Sequence, residues 1–128
     1  MKKKETVFVW TGIGVIIVGL AGWSIWSGMQ PGKYDTFATC IKDAGAKFYG
    51  AFWCSHCQNQ KNMFGKSSKL LPYIECSTPD GRSQLQVCQD AKVESYPTWE
   101  FDDGTRLTGE VSMEILAEKT ACELKADA

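Results

Sequence analysis

The stretch Phe48-Tyr49-Gly50-Ala51-Phe52-Trp53-Cys54-Ser55-His56-Cys57-Gln58 decides the reading of this chain. A short apolar, aromatic run ends directly in a C-x-x-C pair. It reads as a buried strand over Lys47 to Trp53 that feeds a helix beginning at Cys54. Both thiols then sit in the first helical turn. Backbone N–H groups there lack intrahelical partners and carry partial positive charge, which favours a thiolate. The thiolate, not the thiol, attacks disulfides. Residue types and position therefore suit thiol–disulfide exchange. Cys54 is expected to be the exposed attacking thiol, and Cys57, one turn in, the more buried thiol that resolves the mixed disulfide.

Working outward, Asp35 to Ala44 reads as a helix with Phe37, Cys40, Ile41 and Ala44 on one face and Gly45 as its stop. The C-x-x-C helix runs to about Phe64, where Gly65 breaks or bends it. Tyr73 to Cys76 is a second short strand, and Ser77-Thr78-Pro79-Asp80-Gly81 a loop. Leu85 to Lys92 reads as a helix. Ser95 to Phe101 is a proline-containing strand, Asp102 to Thr105 a hairpin turn, and Arg106 to Thr108 the returning strand. A last helix is expected over Ser112 to Leu124, with Met113, Leu116, Ala117, Thr120, Ala121 and Leu124 on one face. Strands separated by helices predict a mixed α/β sheet with helices on both faces.

The N-terminus is different in kind. After Lys2, Lys3 and Lys4, no charged residue occurs from Thr6 to Trp26. About twenty apolar residues suffice to cross a bilayer. Basic residues stay cytoplasmic, so the N-terminus is expected inside and the chain beyond Gly28 outside, with Trp23 and Trp26 at the outer interface. A cleaved signal peptide is the competing reading, but Trp23, Ile25 and Trp26 occupy the region where small residues should mark a cleavage site. Residues 1–28 are therefore read as a signal-anchor helix, 29–33 as a linker and 34–128 as one compact domain. The chain's net charge is −1, and residues 31–128 carry eleven basic against fourteen acidic side chains. No basic footprint for nucleic acid is present. Six cysteines in so small a domain indicate an oxidising compartment.

The remaining chemistry lies near the C-x-x-C pair in type or spacing. Half of a zinc site is the alternative reading of Cys54 and Cys57. Zinc needs further ligands, and the chain offers one histidine and no second C-x-x-C. His56, between the two thiols, can donate to the Cys54 thiolate or place positive charge beside it, which would make the pair a stronger oxidant. Pro97 opens a strand after Tyr96 and can be cis or an ordinary trans strand-start proline. Trp53 and Tyr96 are candidate substrate contacts. Cys76 and Cys88 are read as a structural disulfide, with a second redox pair as the alternative. Cys40 and Cys122 either bridge the first and last helices or leave Cys40 as a buried free thiol.

Three blocks carry a family resemblance. The run Lys47-Phe48-Tyr49-Gly50-Ala51-Phe52-Trp53-Cys54-Ser55-His56-Cys57-Gln58-Asn59-Gln60-Lys61-Asn62-Met63-Phe64-Gly65 resembles the thioredoxin-like domain fused to bacterial vitamin K epoxide reductase (VKOR) homologues. Leu71-Pro72-Tyr73-Ile74-Glu75-Cys76 and Tyr96-Pro97-Thr98-Trp99-Glu100 match the same domain in the same order. The resemblance covers nearly all of residues 34–124. It implies a thioredoxin-like fold, Cys54 and Cys57 as the redox pair, Pro97 as a cis-proline, and Cys76–Cys88 as a second disulfide. In that family the domain passes electrons from substrate proteins to the VKOR membrane domain, which reduces a quinone. The four-helix VKOR domain is absent from this sequence, so the resemblance implies a separate membrane partner. Ordinary thioredoxins carry a buried acid six residues before the first cysteine, and here that position is Phe48. Ser55-His56 stands closer to the Pro-His of the oxidant DsbA.

Together these readings predict an α/β thioredoxin-like domain behind one transmembrane helix, placed in a bacterial envelope or a thylakoid lumen. The expected activity is thiol–disulfide oxidoreduction without a cofactor or metal. The favoured direction is oxidation of substrate protein thiols, with electrons passed to a quinone-reducing partner of VKOR or DsbB type. A tethered disulfide reductase or isomerase, and a non-catalytic binding or chaperone module of the same fold, are the alternatives.

Overall fold

The computed structural model describes residues 2–127; the first and last residues lie outside the described part. The chain divides into two compact units, Met1–Gln30 and Pro31–Ala128. In the first, helix α1 (Lys2–Gly28) is apolar on every side from Thr6 onward, without the one-sided stripe of an amphipathic surface helix. By length and composition it can cross a membrane.

The second unit contains α2 (Asp35–Asp43), β1 (Lys47–Gly50), α3 (Ser55–Phe64), β2 (Tyr73–Glu75), α4 (Gln86–Asp90), β3 (Thr98–Glu100), β4 (Arg106–Thr108) and α5 (Met113–Thr120). A 3₁₀ turn over Gly65–Leu70 follows α3. The strands form one sheet in the order β2-β1-β3-β4. β1 pairs in parallel with β2, setting Phe48 opposite Tyr73. It pairs antiparallel with β3, setting Phe48 opposite Trp99, and β3 continues antiparallel to β4. The sheet is therefore mixed, with β1 at its centre.

Strand alternation divides the side chains between two faces. Phe48, Trp99 and Phe101 point to the main core, where Phe37 and Ile41 of α2, Phe64 of α3 and Leu116 of α5 meet them. Phe48 stacks on Trp99 with ring centroids 4.6 Å apart, and Phe37 on Phe64 at 5.8 Å. Tyr49 points the other way, into a smaller cluster with Cys76, Cys88 and Val93. Aromatic pairs of this kind add about 0.5–1.5 kcal/mol each beyond the area they bury.

Several boundaries differ from the sequence reading. β1 stops at Gly50 instead of reaching Trp53, because the Cys54 N–H bonds back to the Ala51 carbonyl at 3.0 Å and closes a turn. Phe52 and Trp53 thus leave the core and stand about half exposed, at 49% and 55%. The proline strand is short, since only Thr98–Glu100 pairs within the sheet. α5 ends at Thr120, well before Leu124. Ala121 there takes a left-handed conformation, φ 54°, and the Cys122 N–H bonds the Ala117 carbonyl at 3.1 Å. This is the 6→1 bond of a Schellman end, formed here without the glycine that usually signals it.

Two disulfides brace the unit. Cys40 joins Cys122 across 82 residues, and Cys76 joins Cys88 across 12. Loop-closure entropy assigns the longer loop about 4.5 kcal/mol and the shorter about 3 kcal/mol. The expected outcome is that Cys40→Ala/Cys122→Ala lowers unfolding stability in urea more than Cys76→Ala/Cys88→Ala, by about 1–2 kcal/mol. Equal losses in the two double variants would show that the loop-closure account does not apply here.

Candidate active site

Cys54 is the N-cap of α3, with extended backbone and a sulfur that accepts from the Cys57 N–H at 3.4 Å. An N-cap side chain satisfies a donor the helix leaves unpaired, so the fold itself directs an N–H at the first sulfur. The Cys54 sulfur also lies 3.7 Å from the Tyr96 carbonyl oxygen. Sequence reasoning expected this thiol to be exposed, but capping the helix draws it in, and only 7% of the residue's surface is open. Cys57 has no exposed surface at all. Neither is bridged, so the structure shows the dithiol form.

The seat of Cys57 depends on the last residue of β1. A Cβ placed on Gly50 would come within 2.7 Å of the Tyr73 ring and 3.0 Å of the Cys57 sulfur. Only glycine lets strand, tyrosine and thiol approach so closely. Burial pushes the Cys57 thiol up to about 12, and its hydrogen bond with Cys54 adds to the rise. Lys61, one turn further along the same helix face, acts in the opposite sense. Its ammonium is held 3.4 Å from the centre of the Tyr73 ring. Burial, then the bond that the Tyr73 hydroxyl donates to Glu75 at 2.8 Å, keeps the phenol well above its ordinary range. Glu75 also accepts from the Phe52 and Ser77 N–H groups, which fixes the turn carrying Trp53.

Around the thiols, the Tyr96–Pro97 peptide bond is cis. Trp53 meets Tyr96 edge-on at 6.0 Å and donates its indole N–H to Ser77 at 2.9 Å. Gln84 donates to the Tyr96 hydroxyl at 2.7 Å. The structure thus brings Cys54, Cys57, Trp53 and Tyr96 together. Cys76–Cys88 lies in the smaller cluster on the other face of β1, and Cys40–Cys122 ties the segment after α5 to α2.

His56 has a partner that the sequence did not indicate. Its ring is largely exposed, and Nδ1 lies 2.7 Å from Oε1 of Glu110. A carboxylate can only accept, so Nδ1 carries the donated proton. Asn59 donates to the same oxygen at 3.0 Å. Bonds from Asn59 and then His56 hold the Glu110 carboxyl below the usual range.

Sequence reasoning did not single out Glu110, Gln60, Glu75, Tyr73 or Gly50. Gln60 is fully buried and fully used. Its amide N–H donates to the Val111 carbonyl at 2.9 Å, and its oxygen accepts from the Val111 N–H at 2.7 Å and the Trp99 indole at 3.3 Å. A polar residue one turn after Cys57, on the buried stripe of α3, was the available signal for Gln60. Glu110 gave none, since it lies 54 residues from His56 in the chain. Among the described residues, no group of three or more His, Cys, Asp or Glu side chains is placed to hold a metal ion.

The chain is 47% identical over 89 residues to a protein of Arabidopsis thaliana named thiol-disulfide oxidoreductase LTO1; the match covers 66% of this chain and 23% of that protein. It is 35% identical over 75 residues to a thioredoxin domain-containing protein 5 homolog of Drosophila melanogaster, covering 50% of this chain and 17% of the relative. The chain therefore spans less than a quarter of either relative's length. No family model matches it. The fold is thioredoxin-like. In such a domain, a helix N-cap thiol above a fully buried partner thiol is an arrangement suited to exchange at the first sulfur.

Two outcomes are expected. At pH 8 about one Cys57 in ten thousand is thiolate if its pKa is about 12. Iodoacetamide should therefore alkylate Cys54 at least a hundredfold faster than Cys57, read by peptide mass; similar rates would contradict the burial of Cys57. Gly50→Ala should lower stability by about 1–3 kcal/mol through overpacking against Tyr73 and Cys57, seen as a lower thermal midpoint.

Proposed function

We propose that this protein is a membrane-anchored thiol–disulfide oxidoreductase that oxidises substrate protein thiols outside the cytoplasm. The observation that carries the reading is the asymmetry of the two thiols: Cys54 caps the helix and holds the pair's only open surface, and Cys57 is sealed beneath it. The 47% identity to a protein named as a thiol-disulfide oxidoreductase supports the same chemistry.

In the oxidising direction a substrate thiolate attacks the Cys54 sulfur of the Cys54–Cys57 disulfide. The S–S bond breaks, and Cys57 leaves with the electron pair and takes up a proton. Burial then keeps Cys57 a thiol, which slows its return attack on the mixed disulfide. A second substrate thiolate attacks its own sulfur in that bond. The substrate disulfide forms, and Cys54 is released to the Cys57 N–H. Two electrons have moved from the substrate to Cys54 and Cys57; one proton rests on Cys57, and the other, lost to solvent when the second substrate thiol ionised, is taken up only when the Cys54 thiolate protonates. The half-exposed rings of Phe52 and Trp53, with Tyr96 beside them, offer an apolar surface where an unfolded segment can lie during these steps.

To turn over again, the dithiol passes its electrons to a disulfide of a membrane partner of VKOR or DsbB type, which reduces a quinone. Three features support this part of the reading. The resemblance to VKOR-fused domains is one. Phe48 stands where ordinary thioredoxins carry a buried acid. The third is the Lys2-Lys3-Lys4 run that begins α1, which supports an extracytoplasmic domain under the positive-inside rule.

The test is the equilibrium of Cys54–Cys57 with glutathione, measured on the full chain in detergent micelles by alkylation and peptide mass. A potential near about −120 mV is expected for a disulfide donor, and one near about −270 mV would instead assign a tethered reductase. Cys54→Ala should abolish catalysed oxidation of a reduced, unfolded test protein. Retained activity in that variant would overturn the role of Cys54, and no catalysed oxidation by the wild-type chain would leave only a non-catalytic module.

A further inference from the structure

The backbone on both sides of Glu110 is bound to the active site. Gly109, at φ 85°, donates its N–H to the Pro97 carbonyl at 2.8 Å. Val111 exchanges two hydrogen bonds with the buried Gln60 of α3. The residue between them is therefore held at a fixed place beside the first turns of the C-x-x-C helix. Its carboxylate is engaged there by two side chains one turn apart on that helix, His56 at 2.7 Å and Asn59 at 3.0 Å. Neither the fold nor the core requires this carboxylate, because the side chain is exposed and all the pinning bonds are made by its neighbours' backbone.

The consequence falls on the thiolate. His56 lies two residues after Cys54, and its imidazole is the one side chain in the motif able to bring a further N–H and positive charge to that sulfur. While Nδ1 donates to Glu110, the ring is committed elsewhere, and the charge of a protonated ring is offset by the carboxylate it touches. In this structure the Cys54 sulfur accepts from the Cys57 N–H instead.

We infer that Glu110 is a positioning residue that sets the oxidising strength of the Cys54–Cys57 pair by holding the His56 imidazole off the Cys54 thiolate. This rests on the oxidoreductase reading above and adds a control to it. A more stable thiolate favours the dithiol form and makes the disulfide the stronger oxidant. Glu110 therefore moderates the pair, and its removal frees the imidazole to strengthen it.

The experiment compares wild type, Glu110→Ala, Glu110→Gln, His56→Ala and His56→Ala/Glu110→Ala, each as the full chain in detergent micelles. Two quantities are read: the equilibrium constant of Cys54–Cys57 with glutathione, and the pH midpoint of Cys54 thiolate ultraviolet absorbance. Glu110→Ala is expected to shift the equilibrium about tenfold towards the dithiol, equal to about 30 mV for this two-electron couple, and to lower the thiolate midpoint. The nearly isosteric Glu110→Gln, which keeps an acceptor but no charge, should shift both in the same direction and less far. In the His56→Ala background Glu110→Ala should change neither, since coupled residues lose their mutual effect when one is gone. Unchanged values in both single Glu110 variants would overturn the inference, as would an equal shift with and without His56. If wild-type Cys54–Cys57 does not exchange with glutathione at all, the oxidoreductase reading itself fails and takes this inference with it. If wild type exchanges and Glu110→Ala matches it, only the role of Glu110 fails.

Discussion

One buried amide, that of Gln60, joins the three parts of the active site. It has no contact with water, so every one of its hydrogen bonds must be made inside the protein. Those bonds run to both backbone groups of Val111 and to the indole of Trp99, the residue stacked on Phe48 at the centre of the sheet. The C-x-x-C helix is thereby held at once to β3 and to the segment before α5. Loss of an anchor at this position would leave up to three buried polar groups without partners, at about 1–3 kcal/mol each. The position of both thiols depends on that helix staying where it is.

From this anchor the two thiols acquire different environments by ordinary means. The first takes the helix cap, where the backbone supplies an N–H. The second falls one turn inside, against Gly50, where the absence of a side chain on the strand makes room for sulfur. Nothing about the residue type distinguishes Cys54 from Cys57. Place on the helix and depth of burial do, and the same helix then determines which sulfur an incoming thiolate can reach.

The charged groups near the site are arranged in two separate sets. Below Cys57 lie Lys61, Tyr73 and Glu75, where an aromatic ring separates a cation from a carboxylate. Beside the first turn lie His56, Asn59 and Glu110. A thioredoxin carries a buried acid in the strand before its redox pair; here the strand offers Phe48, whose ring packs edge-on against Tyr73 at 5.2 Å. The apolar strand and the two flanking polar sets leave the sealed thiol without a carboxylate next to it in β1.

How much of this was legible in the sequence depended on range. The C-x-x-C helix, its break at Gly65, the hairpin around Asp103-Gly104 and the apolar N-terminal helix rest on local pattern, and local pattern is written in consecutive residues. The end of β1 was misjudged because Phe52 and Trp53 are apolar for a reason other than the core: they leave the sheet in a turn closed by the Cys54 N–H. The end of α5 was overrun because Ala121 takes the left-handed cap with no glycine to announce it. The sequence by itself determined the C-x-x-C pair, its helix and the class of fold, since a periodic run and a paired motif need only neighbours. Tertiary structure alone decided what surrounds the pair. Glu110 meets His56 across 54 residues, and Gln60 meets Val111 across 51, through contacts that exist only once β3, β4 and α3 have come together.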